Sequence, residues 1–99
     1  MKRRVSIFGA TGSIGCNTVD LIQRAPDDYD VVALSGGRNV QKLAEQARAL
    51  RPEIAVTAYE DCLAPLREAL AGSGIEVAAG ETALRDMAER PADCIMSAI

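Results

Sequence analysis

Ninety-nine residues, 48% hydrophobic but only 3% aromatic, suffice for one domain with an aliphatic core of Val, Ile, Leu and Ala. A net charge of -3, with basic residues dispersed among acidic ones, excludes a basic nucleic-acid-binding face. No histidine is present, which removes the commonest general base and zinc ligand; the three cysteines (Cys16, Cys62, Cys94) form no C-x-x-C and read as packing residues of a reduced cytosolic protein.

Lys2-Arg3-Arg4 mimics the start of a signal peptide, but Thr11-Gly12-Ser13 interrupts the apolar run that follows, and no segment approaches the length of a membrane span. A cytoplasmic protein is the expectation. The first strand runs from Val5 to Phe8. A helix follows from Ile14, with Ile14, Thr18, Leu21, Ile22 and Ala25 as its apolar positions and Pro26 as its stop. Val31 to Leu34 is continuously apolar, as in a strand covered on both faces. Asn39 caps a second helix whose stripe is Val40, Leu43, Ala44, Ala47 and Leu50, with Arg48 and Arg51 at its end and Pro52 beyond.

Ile54 to Val56 is a third strand. Leu63, Leu66 and Leu70 line a third helix with Pro65 in its first turn and Gly72 or Gly74 as its end. Ile75 to Val77 is a fourth strand; Leu84, Met87 and Ala88 mark a brief helix ending at Pro91; Cys94 to Met96 begins a fifth strand. The alternation predicts an α/β, three-layered, doubly wound parallel sheet of Rossmann-like type, truncated after the fifth strand. The apolar stretch from Cys94 to Ile99 leads us to expect a fragment of a longer protein.

Gly9, Gly12 and Gly15 stand every third residue between the first strand and the first helix. Gly9 permits a sharp exit from the strand, Gly12 lets backbone approach a phosphate, and Gly15 lets the helix pack on the sheet. The amides around Thr11 to Ile14, with the hydroxyls of Thr11 and Ser13, then aim at a dinucleotide pyrophosphate. The bland alternative is a βα turn with no ligand. About twenty residues further on, where an NAD-binding domain carries a carboxylate for the ribose, stands Ser35. Gly36-Gly37-Arg38-Asn39 follows it. A 2′-phosphate needs cationic donors, so the cofactor expected is NADP, with Arg38 as the clamp rather than a solvated charge. Asn39 has two jobs open to it, capping the second helix and contacting the adenosine phosphate or ribose. Glu60-Asp61 reads as capping and helix-dipole charge, and Arg85, Asp86, Glu89 and Arg90 as a solvated helix face. No carboxylate grouping has metal-site spacing. Cys16 reads as a buried packing residue.

The segments Gly9-Ala10-Thr11-Gly12-Ser13-Ile14-Gly15 and Val32 to Val40, with Leu43, Gln46, Pro52 and Met96 to Ile99, resemble the 1-deoxy-D-xylulose 5-phosphate reductoisomerase family. The resemblance implies that residues 1–99 form its NADPH-binding domain, with Thr11, Gly12, Ser13, Ile14, Gly37, Arg38 and Asn39 contacting NADPH. It also sets Ala98 and Ile99 beside the same cleft. Ala10 replaces a serine common in the family, and Arg38 a common lysine. The full enzyme, a homodimer, would rearrange 1-deoxy-D-xylulose 5-phosphate at a Mg²⁺ or Mn²⁺ site and reduce the resulting aldehyde. Its product is 2-C-methyl-D-erythritol 4-phosphate, in non-mevalonate isoprenoid biosynthesis. The resemblance implies that the metal ligands, the sugar-phosphate site and its closing loop lie beyond these residues. We therefore expect no catalytic or metal residue here and no turnover by residues 1–99 alone. Two alternatives share parts of the pattern: an aspartate-semialdehyde-type NADP dehydrogenase domain and a non-catalytic nucleotide-binding module. The run Gly37-Arg38-Asn39-Val40 entering a Leu/Gln helix weighs against the first.

Overall fold

The polar-free run Val31-Val32-Ala33-Leu34 is buried on both sides at the centre of a parallel sheet. The computed structural model describes residues 2–98. Among them the order is β1 (Arg3–Phe8), α1 (Ser13–Arg24), β2 (Tyr29–Gly36), α2 (Val40–Leu50) and β3 (Ile54–Thr57). A 3-10 turn (Glu60–Cys62) follows, then α3 (Leu63–Ala69), β4 (Glu76–Ala79), α4 (Glu81–Glu89) and β5 (Cys94–Ser97). The strands are ordered β4-β3-β2-β1-β5, and every neighbouring pair is parallel.

Three crossovers step in one direction and the fourth returns past β1. Right-handed connections must then put α1, α2 and α3 on one face and α4 on the other. The core divides accordingly. Val5, Ile7 and Leu34 pack with Val19, Ile22, Leu43, Ala47, Leu66 and Leu70. Val32, Ala33, Ile54 and Val56 pack with Met87 and the half-buried Leu84. This is the expected doubly wound, three-layered fold. The strand order reverses between β1 and β5, which opens a crevice at their carboxyl ends.

Two helix faces differ from the periodicity. On α1 the buried residues are Gly15, Val19 and Ile22, while Ile14 and Leu21 are 64% and 67% exposed. The close seat of Gly15 on the first turn fixes the rotation of the helix, and that is a tertiary constraint no apolar count contains. On α4, Met87 is buried but Ala88 is exposed. Helix α3 ends at Ala69, and Gly72 and Gly74 both take positive φ in the turn beyond it.

The amino-terminal end of the sheet is closed by charge. Arg4 pairs with Glu53 at 2.9 Å, and Arg90 bridges Glu53 at 3.2 Å and Glu76 at 3.3 Å. Asp93 accepts the Arg4 amide at 2.8 Å. Arg90 is thus a tie between α4 and the sheet rather than part of a solvated face.

Candidate functional site

Gly9 leaves β1 with φ 76°, a left-handed conformation that strains any residue with a Cβ. Its amide donates to Ser35 Oγ at 3.1 Å, and the Ala10 amide donates to the Ser35 carbonyl at 2.8 Å. Gln46, buried on α2, donates from Nε2 to the Ala10 carbonyl at 2.7 Å, while its Oε1 has no protein partner among the described residues. Behind the turn, a Cβ on Gly15 would lie 2.6 Å from the Ala10 carbonyl carbon, so α1 seats directly on backbone. The first turn is therefore held from inside the fold.

Its outer side is open. A Cβ on Gly12 would meet only the Gly9 carbonyl, at 3.7 Å. Gly12 is the N-cap of α1, with no side-chain cap and no acidic residue in the first helical turn. Among the described residues the amides of Thr11, Ser13, Ile14 and Gly15 have no protein acceptor. Ser13 and Ile14 are exposed around them. An uncompensated helix N-terminus with free donors and room for close approach is suited to an anion. Cys16 is half-buried, and its thiol faces the Thr11 carbonyl at 3.5 Å. It is a packing residue of this turn, though less buried than expected.

Ser35 lies near the end of β2. Its side chain turns into the first turn and is almost fully buried. The cause is a register irregularity: Val5 pairs with Val31 but Ser6 with Ala33, so β2 carries one extra residue. Val32 and Ala33 then share one face, and the alternation beyond them is shifted. Gly36 consequently faces α2 and Thr11, where a Cβ would lie 3.0 Å from Thr11 Cγ2 and 3.3 Å from Leu43 Cδ2.

The second turn is set by side chains. Thr57, fully buried at the end of β3, donates its hydroxyl to the Gly37 carbonyl at 2.9 Å and accepts the Tyr59 amide at 3.3 Å. Asn39 Oδ1 accepts the Lys42 amide at 3.1 Å. Asn39 therefore caps α2, an interaction worth about 1 kcal/mol. Arg38 is exposed, with its guanidinium carbon 4.1 Å from the centre of the Tyr59 ring and Nη1 2.9 Å from Asp61 Oδ2. That hydrogen bond, and then the charge behind it, raises the Arg38 pKa and holds the Asp61 carboxyl below its ordinary value. Asp61 thus pairs with Arg38 and caps no helix. Glu60 lies across Gly80, where a Cβ would come within 3.0 Å of Oε1.

Between the two turns lies a mainly apolar slot of about 220 Å³, lined by Phe8, Gly9, Gly36, Gly37, Tyr59 and Leu84 among others. Larger surface grooves lie elsewhere, including one beneath the ends of α1 and α2, but none of them contains the site residues. The structure brings Thr11, Gly12, Ser13 and Ile14 to one turn and Gly37, Arg38 and Asn39 to the other. Ala98 follows β5 and donates to the Phe8 carbonyl at 2.9 Å; Ile99 lies outside the described residues. Sequence reading missed Thr57, Tyr59, Asp61 and the buried role of Gln46. Only the last carried a signal, a glutamine within an otherwise small apolar helix face.

Among the described residues no three His, Cys, Asp or Glu side chains group as a metal site, and no helix is long and apolar enough to cross a membrane. The family described as 1-deoxy-D-xylulose 5-phosphate reductoisomerase matches residues 5–99. Reductoisomerases from a Jannaschia species and from Ruegeria pomeroyi are 68% and 65% identical over 99% and 98% of this chain. The chain spans about a quarter of the length of these relatives, 25% in each case. The Zymomonas mobilis reductoisomerase solved in complex with NADPH superposes with a TM-score of 0.97 at 47% identity, over all of this chain and 26% of that one. A reductoisomerase in complex with NADPH, fosmidomycin and magnesium gives 0.90 at 30% identity, over 98% of this chain and 24% of that one. These matches lend no support to the semialdehyde dehydrogenase or to the non-catalytic module.

Proposed function

This chain belongs to the 1-deoxy-D-xylulose 5-phosphate reductoisomerase family, and from that premise we propose that residues 1–99 are the NADPH-binding domain of such an enzyme. The amides of Thr11, Ser13 and Ile14, with the Thr11 and Ser13 hydroxyls, hold the pyrophosphate over the open face of Gly12. Arg38 takes the 2′-phosphate, with backbone approach at Gly37 and the free amide nitrogen of Asn39 beside it. The apolar slot between the turns accommodates the adenosine. When bound, NADPH supplies hydride to the reaction. The observation that carries the reading is an α1 N-terminus without cap or carboxylate beside a β2 end without a carboxylate.

The complete protein would convert 1-deoxy-D-xylulose 5-phosphate to 2-C-methyl-D-erythritol 4-phosphate, as a cytoplasmic homodimer. Because this chain spans about a quarter of its relatives' length, 25% of each, we assign the metal and sugar-phosphate sites to the remainder of the longer protein and expect no turnover by residues 1–99 alone. Calorimetric titration tests the cofactor reading. NADPH should bind more tightly than NADH, and Arg38→Ala should remove that preference. Equal binding of the two by the unaltered chain would refute the reading.

A further inference from the structure

Before any phosphate arrives, Arg38 is already engaged. Tyr59 supports the flat face of its guanidinium at 4.1 Å, and Asp61 takes one donor, Nη1, at 2.9 Å. Nε and Nη2 have no protein acceptor among the described residues. The Thr57 hydroxyl bonds both Gly37, next to Arg38 in the chain, and Tyr59, so one buried group sets the spacing between the arginine and its dock. The dock lies on a different strand end from the arginine, which makes it a tertiary arrangement rather than a local pair.

We infer that Asp61 is a specificity-determining residue of this site, holding Arg38 by one hydrogen bond while its negative charge weakens the binding of 2′-phosphorylated adenosine. The inference rests on reading Arg38 as the phosphate clamp. Two effects oppose each other. A pre-oriented guanidinium loses less freedom when ligand binds. A carboxylate beside a dianionic phosphate repels it, and a phosphate using Nη1 must displace Asp61. The Tyr59 face already supplies orientation, so the charge decides the sign. Asparagine at this position keeps an oxygen for Nη1 and removes the charge, exchanging the second oxygen for an NH2 group.

The test is to titrate the chain with adenosine 2′,5′-bisphosphate and with AMP at low ionic strength. Asp61→Asn should tighten the bisphosphate about two- to fivefold, the scale expected of an exposed charge interaction. AMP binding should change less than about twofold. The gain should fade toward ~0.5 M salt, where screening acts within a few ångströms. Circular dichroism should give the variant the same melting curve as the unaltered chain. Unchanged or weaker bisphosphate binding by Asp61→Asn overturns the inference and leaves the clamp standing, provided the unaltered chain prefers bisphosphate and Arg38→Ala abolishes that preference. A chain without that preference, or one that keeps it after Arg38→Ala, removes the clamp and the inference together.

Discussion

The two turns that face each other across the site are built in opposite ways. Gly9 to Gly15 is fixed from within: Ser35 and Gln46 hold its backbone, Gly15 seats the helix against it, and what it offers outward is amides. Gly36 to Asn39 is anchored beneath by Thr57 but offers an arginine side chain that lies in solvent between Tyr59 and Asp61. Donors needed by every dinucleotide can be built into backbone, where they cost no side-chain entropy on binding. A choice between dinucleotides is made by a side chain, which can be exchanged without disturbing the fold.

That difference can be broken from the first turn. Gly15→Ala places a methyl into the Ala10 backbone, which cannot rotate away, and should destabilise the chain by about 3 kcal/mol or more in denaturant unfolding. Gly12→Ala, three residues away, makes only an ordinary contact with the Gly9 carbonyl at 3.7 Å; it should cost less than about 1 kcal/mol in the same experiment yet weaken NADPH and NADH binding alike. Similar stability losses for both would erase the distinction between an inward and an outward glycine.

Gln46→Leu leaves the buried Ala10 carbonyl without its donor but also removes an unpartnered Oε1. A loss of about 1–2 kcal/mol is expected, visible as a lower unfolding midpoint at unchanged slope.

The smallest effect belongs to the second turn. Asp61 is depressed in the fold by Arg38, so the contribution of the pair is present above the ordinary carboxylate pKa. It is lost as pH falls through the lower folded value. The pair is exposed, and the melting temperature should hardly change. An NMR titration of the Asp61 carboxyl should instead show its midpoint rising in Arg38→Ala, because the hydrogen bond and charge that lower it are gone.

Much of this was legible because it is local. The glycine spacing, the polar-free run of β2 and the stripe and cap of α2 are each contained in a few consecutive residues. The rotation of α1 was not, because Ile14 and Leu21 yield the inward face to Gly15, Val19 and Ile22 only once the helix sits on the turn. The count that landed on Ser35 found the end of β2 but not its phase, which the extra residue at Val32 sets. Thr57, Tyr59 and Asp61 reach Arg38 across some twenty residues of chain with no motif to announce them. Parallel pairing alone brings them there.

The division of labour is tested most directly by following backbone amide resonances as NADPH and, separately, NADH are added. The account predicts that Thr11, Ser13 and Ile14 shift with both cofactors, whereas Gly37, Arg38 and Asn39 shift strongly only with NADPH. Equal responses of the second turn to both, or a silent first turn, would contradict it.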